Sequence, residues 1–277
     1  MTATTIPTST PLPVPAPSGT ATWTTTALTF AGRTIRKLLR SPQIFGIAVI
    51  QSVLFLLMFR YVLGGAIGVP GVKYVDFLVP GFVASGILFT GGGGSVAVAE
   101  DVATGLYDRM RSLPIPDSAV LAGRAIADAT LMVIVGLVTL VVGFIIGFRM
   151  DTTIGKFVLA LVLLACYALA FAVVFGYLGL VSGNAQAAQG LSILAVPFSF
   201  ISSAFVPIHT MPGAVQAFAK AQPLTFMVNA WRGLLLGPKI TRTFDHGLSY
   251  YVVGSLLWAA VIALIFIPLA MRSYRKR

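Results

Sequence analysis

Long apolar runs separated by short charged segments make up most of this chain, and their spacing predicts an all-helical fold. Six runs reach the ~20 mostly apolar residues that a helix needs to cross the hydrocarbon core of a bilayer. They lie at 44–63, 75–98, 125–148, 154–181, 187–206 and 250–271. Barrel strands need only ~10 alternating residues, so runs this long and continuous read as helices. Ahead of the first run, residues 23–40 form an amphipathic pattern. Leu28, Ala31, Ile35, Leu38 and Leu39 share one face, while Arg33, Lys37 and Arg40 line another, and Ser41-Pro42 ends the segment. A basic amphipathic helix beside a span lies in the membrane interface, either as a structural elbow or as an orientation signal.

Between the second and third runs, residues 100–114 carry a different signal. Val102, Leu106, Met110 and Leu113 recur at i, i+4, i+8 and i+11, which predicts one apolar stripe on a short helix. Glu100 and Asp101 would then sit in its first turn and Arg109 and Arg111 in its last, complementing the helix dipole at both ends. Leu113-Pro114-Ile115-Pro116 stops it, because proline removes a donor and disfavours helix in the preceding residue. With Asp117, this neighbourhood holds half of the eight acidic residues of the chain. A charged helix between spans either meets a soluble partner or lies on the headgroups. Residues 207–249 are too apolar for an ordinary solvent loop. Two helical patterns, 213–221 and 224–236, are split by Gln222-Pro223, and each is too short to span. They predict a re-entrant hairpin or lid, or else two surface helices packed on the bundle. Residues 1–21 are rich in Thr, Ser, Pro and Ala and predict a disordered tail, leaving 22–277 as one membrane domain. The tail lacks the basic and apolar regions of a signal peptide, so the N-terminus need not be exported.

Composition narrows the class further. Apolar residues make up 57% of the chain and charged residues 10%, which predicts an integral membrane protein. The net charge of +11 sits beside apolar runs and at the two ends, as membrane anchors do, so nucleic acid is not an expected partner. With six spans both ends share one side. That side carries eleven of the 19 Lys and Arg residues, including Arg33, Arg36, Lys37, Arg40, Arg109 and Arg111, and the bias is clearest in the short loops. Both termini and the 100–114 segment are therefore expected in the cytoplasm of a multi-pass plasma-membrane protein. A lone cysteine, Cys166, excludes an intramolecular disulfide, and His209 and His246 lack neighbours at ligand spacing, so no metal site is expected.

The run Gly91–Gly94 lies inside a span with no Gly-Lys-Ser/Thr ending, so it reads as a place where helices approach closely rather than a phosphate loop. H-E-x-x-H, G-x-S-x-G and paired-carboxylate patterns are missing, and no enzymatic activity or bound cofactor is expected of this chain. Arg124 and Asp128, at i and i+4 near the start of the third span, are spaced to form a structural ion pair or, alternatively, a proton relay. Gln51 is the strongly polar residue midway through the first span.

Two segments carry a family resemblance: EDVATGLYDRMRSLPIPDSAVLAGRAIAD, starting at Glu100, and FSFISSAFVPIHTMPGAVQAFAKAQPLTFMVNAWRGLLLG, starting at Phe198. Together with six spans they resemble the ABC-2 type permeases, and within them the daunorubicin-resistance type of drug exporter. Phe205, Pro207, Met211, Pro212, Pro223, Leu224, Thr225 and Arg232 fall on that family's F-x-P, M-P, N-P-L-T and R positions. Gln222 departs from the usual Asn, and Gly213-Ala214-Val215 lacks a frequent tryptophan.

The resemblance implies that 100–114 is a coupling helix docking on a separate ATPase subunit. Glu100, Gly105, Arg109 and Pro114 match the family's spacing there, with Arg111 beside them. It also implies two permease copies, or one with a sister permease, and two ATPase subunits that bind the ATP and Mg. The cargo would be a hydrophobic drug or lipid lying where permeases meet, with Gln51, Phe55, Phe89, Phe198 and Phe200 as lining candidates. Phenylalanine also packs at such positions. A glycolipid or polysaccharide exporter and an ion-gradient transporter are the alternatives.

Overall fold

The computed structural model describes residues 22–40, 42–64, 72–242 and 244–276. The expected N-terminal tail lies outside them. Among the described residues the fold is all-helical, and twelve α-helices follow one another along the chain. They are α1 (Trp23–Leu39), α2 (Pro42–Met58), α3 (Tyr74–Ala103), α4 (Leu106–Arg111), α5 (Asp117–Ile145), α6 (Ile154–Ser182), α7 (Ala185–Ser192), α8 (Ala195–Phe200), α9 (Gly213–Ala221), α10 (Pro223–Leu236), α11 (Pro238–Thr241) and α12 (Leu248–Lys276).

Four of them, α3, α5, α6 and α12, are long and apolar enough to cross a membrane. At the first predicted span, α2 runs on into a π-helical turn, Phe59–Leu63. The fifth differs from the prediction. Residues 187–206 are not one helix but α7 and α8, separated by a turn at Ile193-Leu194 and followed by irregular chain after Phe200. Apolar content alone does not reveal the break, because hydropathy has no memory of backbone direction.

The most deeply buried of the four long helices is α3. It packs against α5, α6 and α7 and meets α2, α8 and α10, while α12 lies outside against α6 and α10. The glycine run of α3 explains its central place. A Cβ on Gly91 would fall 2.1 Å from the Phe175 ring of α6. One on Gly92 would sit 3.3 Å from Ser192 of α7, and one on Gly94 3.3 Å from the Asp128 carboxylate of α5. Three glycines thus admit three different helices, the close approach that small residues permit.

The other end of this logic appears at α1. Its buried face is Thr26, Ala27, Phe30 and Ala31, while Leu28, predicted on the apolar face, is 66% exposed. The reason is proximity: α1 lies so close to α5 that a Cβ on Gly123 would fall 2.5 Å from the Ala27 carbonyl oxygen. Ala27 and Ala31 meet Gly123 there with the Phe30 Cβ beside them, so closeness of approach rather than the hydropathy pattern sets the buried face. Gly123→Val therefore forces α1 away from α5. We expect a loss of about 1–3 kcal/mol, the usual range for overpacking, read as a lower melting temperature in detergent; an unchanged melt would contradict the seam.

Candidate functional site

One end of the bundle is built around α4. Helix α3 ends at Ala103, and Gly105 takes φ 66° and ψ 22°, the left-handed conformation that closes helices. The chain then turns into the six-residue α4. The single helix predicted over 100–114 is therefore corrected to an elbow. Glu100 and Asp101 belong to the last turn of α3, so they do not cap α4, and Gly105 is the residue that makes the difference. The predicted stripe is corrected as well. Leu113 is 49% exposed and Tyr107 is the buried residue of α4, at 3%. Its ring meets Tyr274 near the end of α12 edge-on at 5.4 Å. Phe30, Val98, Val120 and Leu180 complete this small core, and Val102 and Met110 pack on it. Burial holds the Tyr107 phenol above its ordinary pKa. The outward side of the elbow presents Glu100, Asp108, Arg109 and Pro114 to solvent, with Arg111 half-buried, bonded to Asp108 and lying over the Tyr274 ring.

Directly behind the elbow lies a charged network. Arg124 donates from Nε to Asp128 Oδ2 at 2.8 Å and from Nη1 to Asp101 Oδ2 at 2.6 Å, and its Nη2 reaches the Gly94 carbonyl at 3.3 Å. Lys37 of α1 approaches Asp101 at 3.9 Å. Arg124, Asp128 and Asp101 are all buried, so α3 and α5 are joined through charges withdrawn from water, and α1 reaches them through the exposed Lys37. Helix spacing identifies Arg124 and Asp128 as partners. Asp101 lies 23 residues from Arg124, and no local pattern links them. Beside this network an apolar cleft of about 370 Å³ opens between Trp23, Tyr107, Leu121, Leu169, Val173 and Ala270.

The five candidate lining residues come together in part. Phe55 of α2 stacks on Phe89 of α3 at 5.9 Å. Phe200 of α8 touches both Phe59 and Phe205, at 6.0 and 5.0 Å. Phe59 and Phe205 also pack on Phe82, making an aromatic cluster where α2, α3 and α8 meet. Phe198 turns away, edge-on to Phe218 of α9 at 6.1 Å. Gln51 is exposed on α2, on the same helix as the exposed Ile47, Ile50 and Leu54. Phe59, Phe82 and Phe205 join the cluster through tertiary contact alone.

At the opposite end from α4, all fourteen residues of α10 are buried. Pro223 starts the helix, where a missing N–H costs nothing. Tyr167 donates to the Pro223 carbonyl at 2.6 Å, Thr225 accepts from the Ser203 N–H at 3.2 Å, and the Trp231 indole donates to Ala160 at 2.7 Å. Arg232 donates to the carbonyls of Phe77 and Ala204, both at 2.9 Å. The Gln222 amide donates to the Ile201 carbonyl. Three motif positions of the second segment, Pro223, Thr225 and Arg232, together with Gln222 and Trp231, thus hold α10 to α3, α6 and the chain after α8.

Comparison with known proteins gives this arrangement its context. The sequence profile of the family described as ABC-2 type transporter matches residues 26–236. The chain belongs to the ABC-2 type transporter family. Among its relatives, daunorubicin resistance ABC transporter permease protein DrrB1 of Streptomyces coeruleorubidus is 31% identical over 230 residues, covering 83% of this chain and 78% of the relative. Probable doxorubicin resistance ABC transporter permease protein DrrC of Mycobacterium tuberculosis is 25% identical over 234 residues, covering 83% and 80%. This ABC-2 family member is accordingly a membrane protein of an ABC transporter system, a system that includes an ATPase partner. The family match spans the elbow, the Arg124 network, the aromatic cluster and α10.

Proposed function

We propose that this chain is the permease subunit of an ABC exporter that moves hydrophobic drugs out across the cytoplasmic membrane, driven by ATP and Mg bound on a separate ATPase. The observation that carries the reading is the elbow. Its outer face is exposed and charged through Glu100, Asp108 and Arg109, while its inner face is keyed by Tyr107 to α12 and backed by the Asp101–Arg124–Asp128 network. A push on α4 is thereby delivered to α1, α3, α5 and α12 together. Such a surface suits the docking of a soluble motor. The relatives named for daunorubicin and doxorubicin resistance support a drug as the cargo.

In this reading α2 with its π turn, and α7 with α8, are the first and fifth of six crossings. The broken fifth crossing gives the pathway a jointed wall. The Lys and Arg bias puts both termini and the elbow in the cytoplasm, and α9 and α10 form a re-entrant cap on the outer side. Two permease copies and two ATPases make the working unit. Gln51, Phe55, Phe89 and Phe200 face the cargo where the copies meet, with the buried Phe59 behind them in the aromatic cluster and Phe198 against the cap. The apolar cleft near Tyr107 is a second place for apolar cargo. Glycolipid or polysaccharide cargo would use the same machinery. An ion-gradient mechanism is disfavoured by Asp128 itself, whose carboxylate is held by Arg124.

The test is purification of the full chain from its native membrane in mild detergent, followed by mass spectrometry and an ATP-hydrolysis assay. We expect a P-loop ATPase to accompany it and to be lost when the elbow is altered. Purification as a six-span protein free of any ATPase, with transport intact, would overturn the reading and make Asp128→Asn the next variant.

A further inference from the structure

Arg232 stands out among the buried charges because no carboxylate answers it. It is 1% exposed, and its hydrogen-bond partners are all neutral: the Phe77 and Ala204 carbonyls and, at 3.5 Å, Asn229 Oδ1. Its guanidinium carbon lies 3.4 Å over the Phe77 ring. Among the described residues no Asp or Glu oxygen comes within salt-bridge distance of it. Arg124, at the other end of the bundle, has two. A guanidinium does not shed its proton in a protein, and an unpaired buried charge is disfavoured unless something of opposite sign can reach it.

Something can reach it. Arg232 forms part of the wall of a cavity of about 160 Å³ between α3, α9, α10 and the start of α12, far above the ~15 Å³ that admits one water. Ser203, His209, Lys220, Asn229 and Asp245 share that wall. At the rim, Lys220 bonds Asp245 at 2.7 Å, both about half exposed. The hydrogen bond from Lys220 holds the Asp245 carboxyl below its usual pKa, so this pair is ionised and self-neutralised. The wall therefore carries two fixed cations against one carboxylate, with the uncompensated cation at the buried end. Beside it stands the amide of Asn229, whose Oδ1 accepts from the Ser203 hydroxyl at 3.1 Å.

We propose that this cavity is an anion site that takes a phosphate-type oxyanion onto Arg232, with Lys220 guiding entry and Asp245 opposing it. Three of the five guanidinium N–H groups are occupied by protein acceptors, which leaves two, the number a bidentate oxyanion uses. The oxyanion can belong to a lipid headgroup or be free in solution. Through Phe77 and Ala204, its binding would brace α10 against α3 and the chain after α8.

The experiment is native mass spectrometry of the intact chain in a non-ionic detergent, with either phosphatidylglycerol or inorganic phosphate added. Wild type should retain one adduct. Asp245→Asn should raise its apparent affinity and Lys220→Gln lower it, each by about fivefold, the effect of one unit charge a few ångströms away in water. Both residues are exposed and outside the Arg232 staple, so these variants fold, and a purely structural Arg232 would leave them indistinguishable from wild type. Charge-sensitive retention of phosphatidylglycerol alone assigns the site to a lipid headgroup. The same response with inorganic phosphate assigns it to a free anion. Failure of both probes to bind, or binding unaffected by either variant, overturns the proposal.

Discussion

Replacing Arg124 with leucine is expected to destabilise the protein by about 3–5 kcal/mol, the cost of breaking a buried ion pair by removing one partner. The loss follows from what remains. Asp128 and Asp101 are 6% and 9% exposed, and among the described residues the other cation in range is Lys37, at 3.9 Å from Asp101 and largely exposed itself. Asp128 would have nothing. The Gly94 carbonyl, inside α3, would lose the extra donor that the guanidinium supplies. The result should appear as sharply lower accumulation in the membrane and a lower melting temperature in detergent. Asp101→Asn should cost less, because Arg124 keeps its bond to Asp128. Adding Asp128→Leu to Arg124→Leu should recover part of the loss, since an apolar pair of similar volume needs no partner. Equal stability of Arg124→Leu and wild type would mean that the network is decoration.

The second large effect is on coupling. Gly105→Leu places a side chain at φ 66°, where a non-glycine residue costs roughly 1–2 kcal/mol. The strain is too small to unfold the bundle but is applied at the joint that aims α4. Glu100→Ala changes an exposed residue and should leave the fold untouched. Both variants are expected to insert normally and to lose about tenfold or more of ATP-driven export, within the usual range of coupling between sites. Inverted membrane vesicles containing the partner ATPase provide the measurement. Normal export by both inserted variants would remove α4 from the mechanism. Reduced export by Gly105→Leu alone would place the coupling in the angle of the elbow rather than in the charge of Glu100.

Much of this site is legible along the chain, and the exceptions share a cause. Arg124 and Asp128 are partners by helical spacing, Gly91–Gly94 by size alone predicts close packing, and Pro223 marks the start of α10. Each depends on neighbours within a turn or two. Asp101, Phe59, Phe82 and the acceptors of Arg232 are different. Arg232 reaches Phe77 across 155 residues and Ala204 across 28, and no local periodicity carries that information. The buried side of α4 is another case. Hydropathy favours Leu106 and Met110 over Tyr107, but the partner surface at Tyr274 accepts an aromatic ring edge-on.

By itself, then, the sequence determined the helical class, the four long helices α3, α5, α6 and α12, the two short helices before the last span and the family resemblance. These follow from apolar run length, proline and glycine punctuation and local spacing. The tertiary structure alone decided that α3 is the centre, that α1 packs on its small residues, that the chain bends at Gly105 and between α7 and α8, and which charges are answered. Those outcomes depend on which surfaces meet and how closely, and side-chain size and charge at a contact act only once distant segments are brought together.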